Sequence, residues 1–366
     1  MTAESHYPCE ACGADLRFAP GQTRLVCDHC GHVQDIPGAI HRGQRTLREL
    51  DLASALRADL PEAELEEHRT LSCPSCGAQI ELTANQHATQ CPFCATPVVT
   101  DTGVTRLIKP QGVIPFQLTE KQARDALGKW LGRLWFAPNG LVEYARRGRK
   151  LNGIYAPFWT FDAATRSEYT GQRGDYYYET RHVTVQVNGR SERRAEQVRK
   201  IRWRPAQGRV ARAFDDVLIY AARSLPAQNI DGLRPWDLSA LTPYARDYLA
   251  GFDAEGYTVE LREGHHLAQA DMARVIESDV RRDIGGDVQR VAQVHTRYSD
   301  ETFKHILLPV WTAAYRYRGR AYRFVVNAQT GSVQGERPYS AWKIGFAVVA
   351  ALIAAAVIAY LGQQAP

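Results

Sequence analysis

The alternation of hydrophobic and polar positions changes register several times along this chain, and each change marks a different kind of element. Up to about residue 105 the apolar positions come in close pairs. Leu16 and Phe18 precede a Pro20-Gly21 turn, and Ile80 and Leu82 precede Thr83-Ala84-Asn85, a pattern that predicts two small hairpins. Between them, residues 44–68 carry helical spacing at Leu47, Leu50 and Leu56, then restart at Pro61, which suits the first turn of a new helix. Residues 113–118 read as a strand. Thr119 followed by Gln122 is a capping box that opens a helix to about Leu134, with Ala123, Leu127, Trp130, Leu131 and Leu134 near one face.

From Asn152 the pattern turns to β. IYAPFWTFDA is continuously apolar, and Val183, Val185 and Val187 alternate before an Asn188-Gly189 hairpin turn, so a largely antiparallel sheet is expected. A second helix is expected over 268–284, with Met272, Val275, Ile276 and Val280 on its apolar side and Gly285-Gly286 as its stop. Strands return in HILLPVWTAAYRYRG and AYRFVVNAQTGSV. The segments APFWT (156–160) and LPVWT (308–312) repeat, each after a helix, which suggests two related α+β halves. Pro157 and Pro309 then belong at strand starts, edges or bulges, since proline cannot donate to a ladder.

Residues 344–361 hold no charged side chain in 18 positions. This predicts a single transmembrane helix, with Trp342 and Tyr360 at its interfaces. Arg337 and Lys343 precede the run and no Lys or Arg follows it, which orients the N-terminal domains toward the cytosol of a bacterial cell. The N-terminus lacks the basic and apolar regions of a secretory signal, so the cysteines are expected in a reducing compartment.

Those cysteines carry the clearest chemistry. Cys9, Cys12, Cys27 and Cys30 follow the spacing CxxC-x14-CxxC, and Cys73, Cys76, Cys91 and Cys94 repeat it, using all 8 cysteines of the chain. A CxxC knuckle lets two thiolates share one metal ion, and a hairpin of the intervening residues returns the second pair. Gly13, Gly31 and Gly77 follow the second cysteine of a pair, where a positive φ helps the chain turn, and Ala95 departs from that pattern. Two closed tetra-thiolate zinc ribbons are expected, with two Zn2+ per chain. Four protein ligands leave no place for an activated water, so the metal is read as structural. His29 and His32 flank Cys30 and are left out of the ligand set.

Charge and other motifs change this picture little. The 366 residues carry 45 Lys plus Arg against 40 Asp plus Glu, a net of +5 that names no partner. Residues 190–212 hold nine basic side chains, two acidic ones and Trp203, and form the best polyanion candidate. Lys200, Arg202 and Arg204 also fall on every second position, as the solvent face of a strand requires. Tyr176, Tyr177 and Tyr178 are read as sheet packing, and His265-His266 as a solvated loop pair. No GxxxxGK[ST], HExxH, GxSxG or GxGxxG pattern occurs, so no catalytic residue or nucleotide cofactor site is expected.

CEACGADLRF, CPSCGAQIEL, CPFC, WFAPN, GIYAPFWTFDA, RRDIGGD, LLPVWTAAYRYRG and RPYSAWK ahead of the apolar run resemble a family of bacterial membrane proteins with TFIIB-type zinc ribbons. These YdjG-type proteins are often labelled primosomal protein N′ or superfamily II helicase, a label that the missing nucleotide motifs do not support. The resemblance implies association with SPFH/flotillin-like proteins. The resulting expectation is an α+β chain: zinc ribbon 1 over 1–40, a helical connector over 41–68, zinc ribbon 2 over 69–105, an α+β domain over 106–340 and a transmembrane helix over 342–361. Its expected function is that of a non-enzymatic, single-pass membrane scaffold that recruits a partner. The alternative is a membrane-tethered nucleic-acid-binding protein.

Overall fold

The computed structural model describes residues 7–36, 47–58, 60–81, 88–94, 96–99, 103–134, 151–187, 190–317, 320–336 and 340–364. The Asn188-Gly189 turn, the Thr83-Ala84-Asn85 turn, Ala95 and the WFAPN segment lie outside them. The first cysteine segment folds into an antiparallel sheet of β1 (Leu16–Phe18), β2 (Arg24–Cys27) and β3 (Val33–Asp35). The connector holds β4 (Leu50–Asp51) and α1 (Leu52–Leu56), whose N-cap Asp51 accepts from the Ser54 N–H at 2.7 Å. Pro61 opens only one helical turn, Glu62–Glu64, before the chain extends as β5 (Leu65–Ser72).

The second cysteine segment supplies β6 (Gln79–Glu81), β7 (Ala88–Gln90) and β8 (Pro97–Val99), and β9 (Gly103–Ile108) returns along β5. There follow β10 (Gly112–Val113), α2 (Glu120–Gly132), β11 (Asn152–Val187), β12 (Arg190–Tyr220), α3 (Ala227–Asp231), β13 (Thr242–Pro243) and β14 (Asp253–Gly256). The chain continues with α4 (Leu261–Ile284), β15 (Val288–Tyr317), β16 (Arg320–Asn327), β17 (Val333–Gly335) and α5 (Ala341–Gln364). Among the described residues, one 12-stranded sheet runs β13-β10-β15-β11-β14-β6-β5-β9, with β12 on β11, β16 and β4 on β15, and β17 on β16.

The two repeated segments meet at the centre of this sheet. β11 and β15 are antiparallel with Ala156 opposite Leu308, so 156–160 and 308–312 meet at that pair and run from it in opposite directions, 156–160 along 304–308 and 308–312 along 152–156. Their neighbours keep the symmetry: β10 runs parallel to β15 with Val113 opposite Leu307, and β14 runs parallel to β11 with Ala254 opposite Tyr155. Pro157 and Pro309 each stand one residue before a ladder, Phe158–Tyr220 and Val310–Asn327. Their carbonyls accept from the N–H of Ala221 and Ala328, each at 3.0 Å, where the adjoining strand leaves the sheet. The missing proline donors are therefore tolerated within long, central strands.

The helix-opening capping box forms as its sequence demands: Thr119 and Gln122 bond reciprocally, and Ala123, Leu127 and Leu131 enter the core. One core cluster joins these residues to Phe18 and Leu25 of the first cysteine segment and to Phe116, Tyr155 and Trp311. A second joins Leu71, Ile80 and Phe93 to Phe158, Ile306 and Leu308. A third places Leu261, Ala268 and Met272 of α4 against Trp159, Phe161 and Phe303. α4 begins seven residues earlier than its polar first turns suggest, because Leu261 and His265 are buried as well.

At one level all three long strands break register. Here β12 and β15 each carry one extra residue against β11, with Asp215 and Asp216 facing Asp162 and with Asp300 and Glu301 facing Ala163, and Asp216 and Asp300 adopt φ 53°, rare outside glycine. Beyond this bend, β12, β11 and β15 continue as a three-stranded arm. Its inner face packs Tyr169 on Ile276, Val280 and Ile284 of α4.

The expected membrane span is corrected. The apolar run at 344–361 forms α5 (Ala341–Gln364). Among the described residues no helix is long and apolar enough to cross a membrane. The transmembrane element of the fold, the single-pass topology and the placement in a bacterial cytoplasmic membrane fall with it.

Candidate metal centres

Local hydrogen bonding shapes each cysteine knuckle. In the first segment, the Cys9 N–H donates to Ala14 O at 2.7 Å and the Gly13 N–H to Cys9 O at 2.8 Å. The second knuckle repeats this with Cys27 N–H to His32 O and Gly31 N–H to Cys27 O, both 2.9 Å. Gly13 and Gly31 both take φ 74°, a conformation a side chain would strain. β1 and β2 then bring the knuckles together, with Leu16 opposite Cys27. Cys9 Sγ lies 3.6 Å from Cys30 Sγ and Cys12 Sγ 3.5 Å from Cys27 Sγ.

The second segment is built alike. Cys73 N–H donates to Ala78 O at 2.9 Å, Gly77 N–H to Cys73 O at 2.8 Å, and Cys91 N–H to Thr96 O at 2.9 Å, with Gly77 at φ 71°. Cys73 and Cys94 Sγ are 3.5 Å apart, and Cys76 and Cys91 Sγ 3.6 Å. A disulfide needs ~2.05 Å, whereas a tetrahedron of ~2.3 Å metal–sulfur bonds sets sulfurs about 3.8 Å apart. The four ligand atoms of each cluster lie within 4.8 Å of one another, and all eight cysteines are free of disulfides. Each cluster can hold one metal ion, and four thiolates suit zinc.

The clusters share a second property: one thiol in each is set apart as an anion. The Cys30 backbone N–H, with that of His29 and neighbouring thiols, brings Cys27 down to about 6. A hydrogen bond from the Cys91 thiol, aided by the Ala78 N–H, brings Cys76 down to about 5, while the same bond and burial push Cys91 well up. A metal ion held by the four cysteines of a cluster would displace these shared protons and keep the thiols ionised.

Both clusters are built into the framework. In the first segment, the Phe18 N–H donates to Ala250 O at 2.9 Å and the Gly21 N–H to Phe116 O at 2.8 Å. Phe18 also packs edge-on against Tyr248, with ring centroids 5.5 Å apart. In the second, β6 is a strand of the large sheet, pairing Ile80 with Glu255 of β14.

His29 is exposed and His32 half-buried, and neither joins the four-sulfur group. His265 and His266 are not a loop pair: both lie on α4, and His265 is buried with Nε2 2.7 Å from Glu301 Oε1. The basic segment forms β12, where Lys200, Arg202 and Arg204 are exposed. Tyr178 is 62% exposed, and Tyr176 and Tyr177 lie under Arg199 and Arg202 at 4.4 and 5.0 Å, so these rings serve cations as well as packing.

Two polar clusters escaped sequence reasoning. At the bend, buried Lys304 places Nζ 3.2 Å from Asp162 Oδ2, 2.9 Å from Asp216 Oδ1 and 3.0 Å from Glu49 Oε1. Asp162, Asp215 and Asp216 are close enough to suggest a cation site, but the lysine ammonium already supplies the cation. A Lys within the run FKHILLPVW was the available signal. The other cluster is Glu255, only 1% exposed, whose Oε2 accepts from the Tyr220 hydroxyl at 2.9 Å while that hydroxyl lies 2.7 Å from Ser224 Oγ. Burial pushes the Glu255 carboxyl up to about 8.

Fold and site together define a β-rich protein with two four-cysteine clusters of zinc-ribbon form, each able to hold a metal ion. Over 350 residues the chain is 25% identical to the uncharacterized protein YdjG of Bacillus subtilis (strain 168), covering 92% of this chain and 91% of that protein. No model of a known protein family matches the chain, and no solved structure matches it.

Proposed function

We propose that this chain is a non-enzymatic zinc-ribbon protein that recruits a protein partner. Zinc is the proposed metal of both clusters, held by Cys9, Cys12, Cys27 and Cys30 and by Cys73, Cys76, Cys91 and Cys94. Bound there, it would cross-link the strands of each hairpin. The observation that carries the reading is the closure of both clusters: every ligand position is taken by the chain's own sulfur, and each cluster is tied into the core by backbone hydrogen bonds or sheet pairing. Such metal supports a scaffold rather than a reaction.

The projecting arm of β11, β12 and β15 gives a scaffold something to present. The proposed partner is an SPFH/flotillin-like protein, on the strength of the sequence resemblance. Titration of the metal-loaded full chain into such a protein from the same cell, followed by calorimetry, tests the reading. Saturable binding by the loaded chain supports it. No binding, or turnover of a small-molecule substrate abolished by a point change in this chain, contradicts it.

A further inference from the structure

One face of the arm rests on α4, and side chains alternate along each strand, so the positions between Tyr169, Val210 and Val294 form the opposite face. Cross-strand register places Arg166 on that outer face directly opposite Arg297, with Ala211 on its other side. Both arginines are exposed, and neither has an ion-pair partner among the described residues; the nearby Glu168 is engaged by Arg209 at 3.1 Å. Like charges directly opposite each other weaken a sheet. Two guanidinium groups side by side on an open face can share one anion.

Further along the same face come planar groups. Trp203 stands opposite Gly174, where an added Cβ would lie 2.9 Å from the indole, so the glycine lets the ring lie down on the sheet. The Arg290 guanidinium sits 4.0 Å from the centre of that ring, and Arg199 sits 4.4 Å from Tyr176 one step beyond. From Arg166 to the level of Tyr178 the strip is about 40 Å long at ~3.3 Å per residue. Of the nine Lys or Arg of residues 190–212, the strand register places Arg193, Arg199 and Arg209 on this face and the other six on the face toward α4. Arg166, Arg297, Arg290 and Arg199 thus carry the charge of the outer strip.

We propose that this outer face binds single-stranded nucleic acid. Arg166 and Arg297 take phosphates, and unstacked bases lie on the Arg290–Trp203 and Arg199–Tyr176 layers. Guanidinium planes and aromatic rings both stack bases, and such platforms accept ~4–16 nucleotides. An anionic lipid surface would use the charge but leave the layered rings without a role. The assignment goes beyond partner recruitment and stands independently of it.

The test uses the metal-loaded full chain and a labelled oligo(U) of about twenty nucleotides, read by fluorescence anisotropy at about 50 mM salt. Binding should weaken with salt, log K falling by ~0.7 per log unit of salt for each phosphate contacted. Arg166→Glu with Arg297→Glu should weaken it at least tenfold while the melting curve stays that of the parent. If charge reversal disturbs folding, Arg166→Gln with Arg297→Gln carries the same test and should lower the salt slope by about 1.4. Trp203→Ala should weaken oligo(U) about fivefold or more and leave heparin, a polyanion without bases, unaffected. No binding of oligo(U), binding indifferent to Arg166 and Arg297, or equal effects of Trp203→Ala on heparin would overturn the proposal. So would capture of phosphatidylserine vesicles in place of oligo(U). The probe is nucleic acid alone, so a failed protein-partner experiment leaves this result untouched.

Discussion

Trp159 and Trp311 donate their indole N–H groups, each at 2.9 Å, to carbonyls in matching places: Val259, one residue before the N-cap Glu260 of α4, and Leu118, one residue before the N-cap Thr119 of α2. Each tryptophan stands on the strand that follows one helix and anchors the start of the other. Trp159 on β11 comes after α2 and holds α4, while Trp311 on β15 comes after α4 and holds α2. The two helix–strand units are thereby interlocked about the Ala156–Leu308 pair.

Trp159→Phe and Trp311→Phe should therefore have similar costs. Each leaves a carbonyl without its donor, buried at Val259 and half-buried at Leu118, worth ~1–3 kcal/mol. Urea unfolding of the two variants measures this, and a neutral Trp311→Phe would break the equivalence.

Lys304→Met should be among the most damaging single changes. It leaves Asp162, Asp216 and Glu49 without their common cation at the bend of the sheet, and removing one partner of a buried ion cluster costs about 3–5 kcal/mol. Burial pulls the Lys304 amine down, but its bonds to Asp216 and Glu49 outweigh this and raise it. Its contribution is therefore full below the unfolded value of ~10.4 and is lost as pH rises through the higher folded one. Thermal melts from neutral to strongly alkaline pH should show this loss in the parent and not in the variant.

Glu255→Gln should remove a pH dependence of opposite origin. Burial raises the carboxyl to about 8, so the folded chain keeps a proton that the unfolded chain has released above ~4.3. With more protons bound when folded, stability falls as pH rises from ~4.3 toward about 8 and then levels off. The substituted amide keeps an acceptor for Tyr220 without the charge, and the variant should exceed the parent by roughly 3–5 kcal/mol at pH 8 while matching it near pH 4. Equal slopes in the two proteins would contradict the buried-acid assignment.

The metal clusters and the α2 cap were legible because their chemistry is local: CxxC spacing, knuckle glycines and a Thr-x-x-Gln box act within a few residues. The arm was not. Beyond Ala163 its outer face carries Arg166, Glu168, Thr170 and Gln172, polar residues that interrupt the apolar signal of a strand even though β11 runs unbroken from Asn152 to Val187. Lys304 was hidden because its partners come from β11, β12 and the connector. His265 read as loop because the polar first turns of α4 mask the burial of Leu261. The apolar run at 344–361 pointed to a bilayer by composition, and composition alone does not establish a span.

The central claim is that two four-cysteine clusters each hold one metal ion and brace the framework. Elemental analysis of the full chain, purified under reducing conditions without added metal, tests it most directly when the parent is compared with Cys27→Ser and Cys76→Ser. The account predicts two zinc ions per chain in the parent and one in each variant, with metal release accompanied by a lower melting temperature. A parent that is folded and metal-free, or variants that keep both ions, would contradict it.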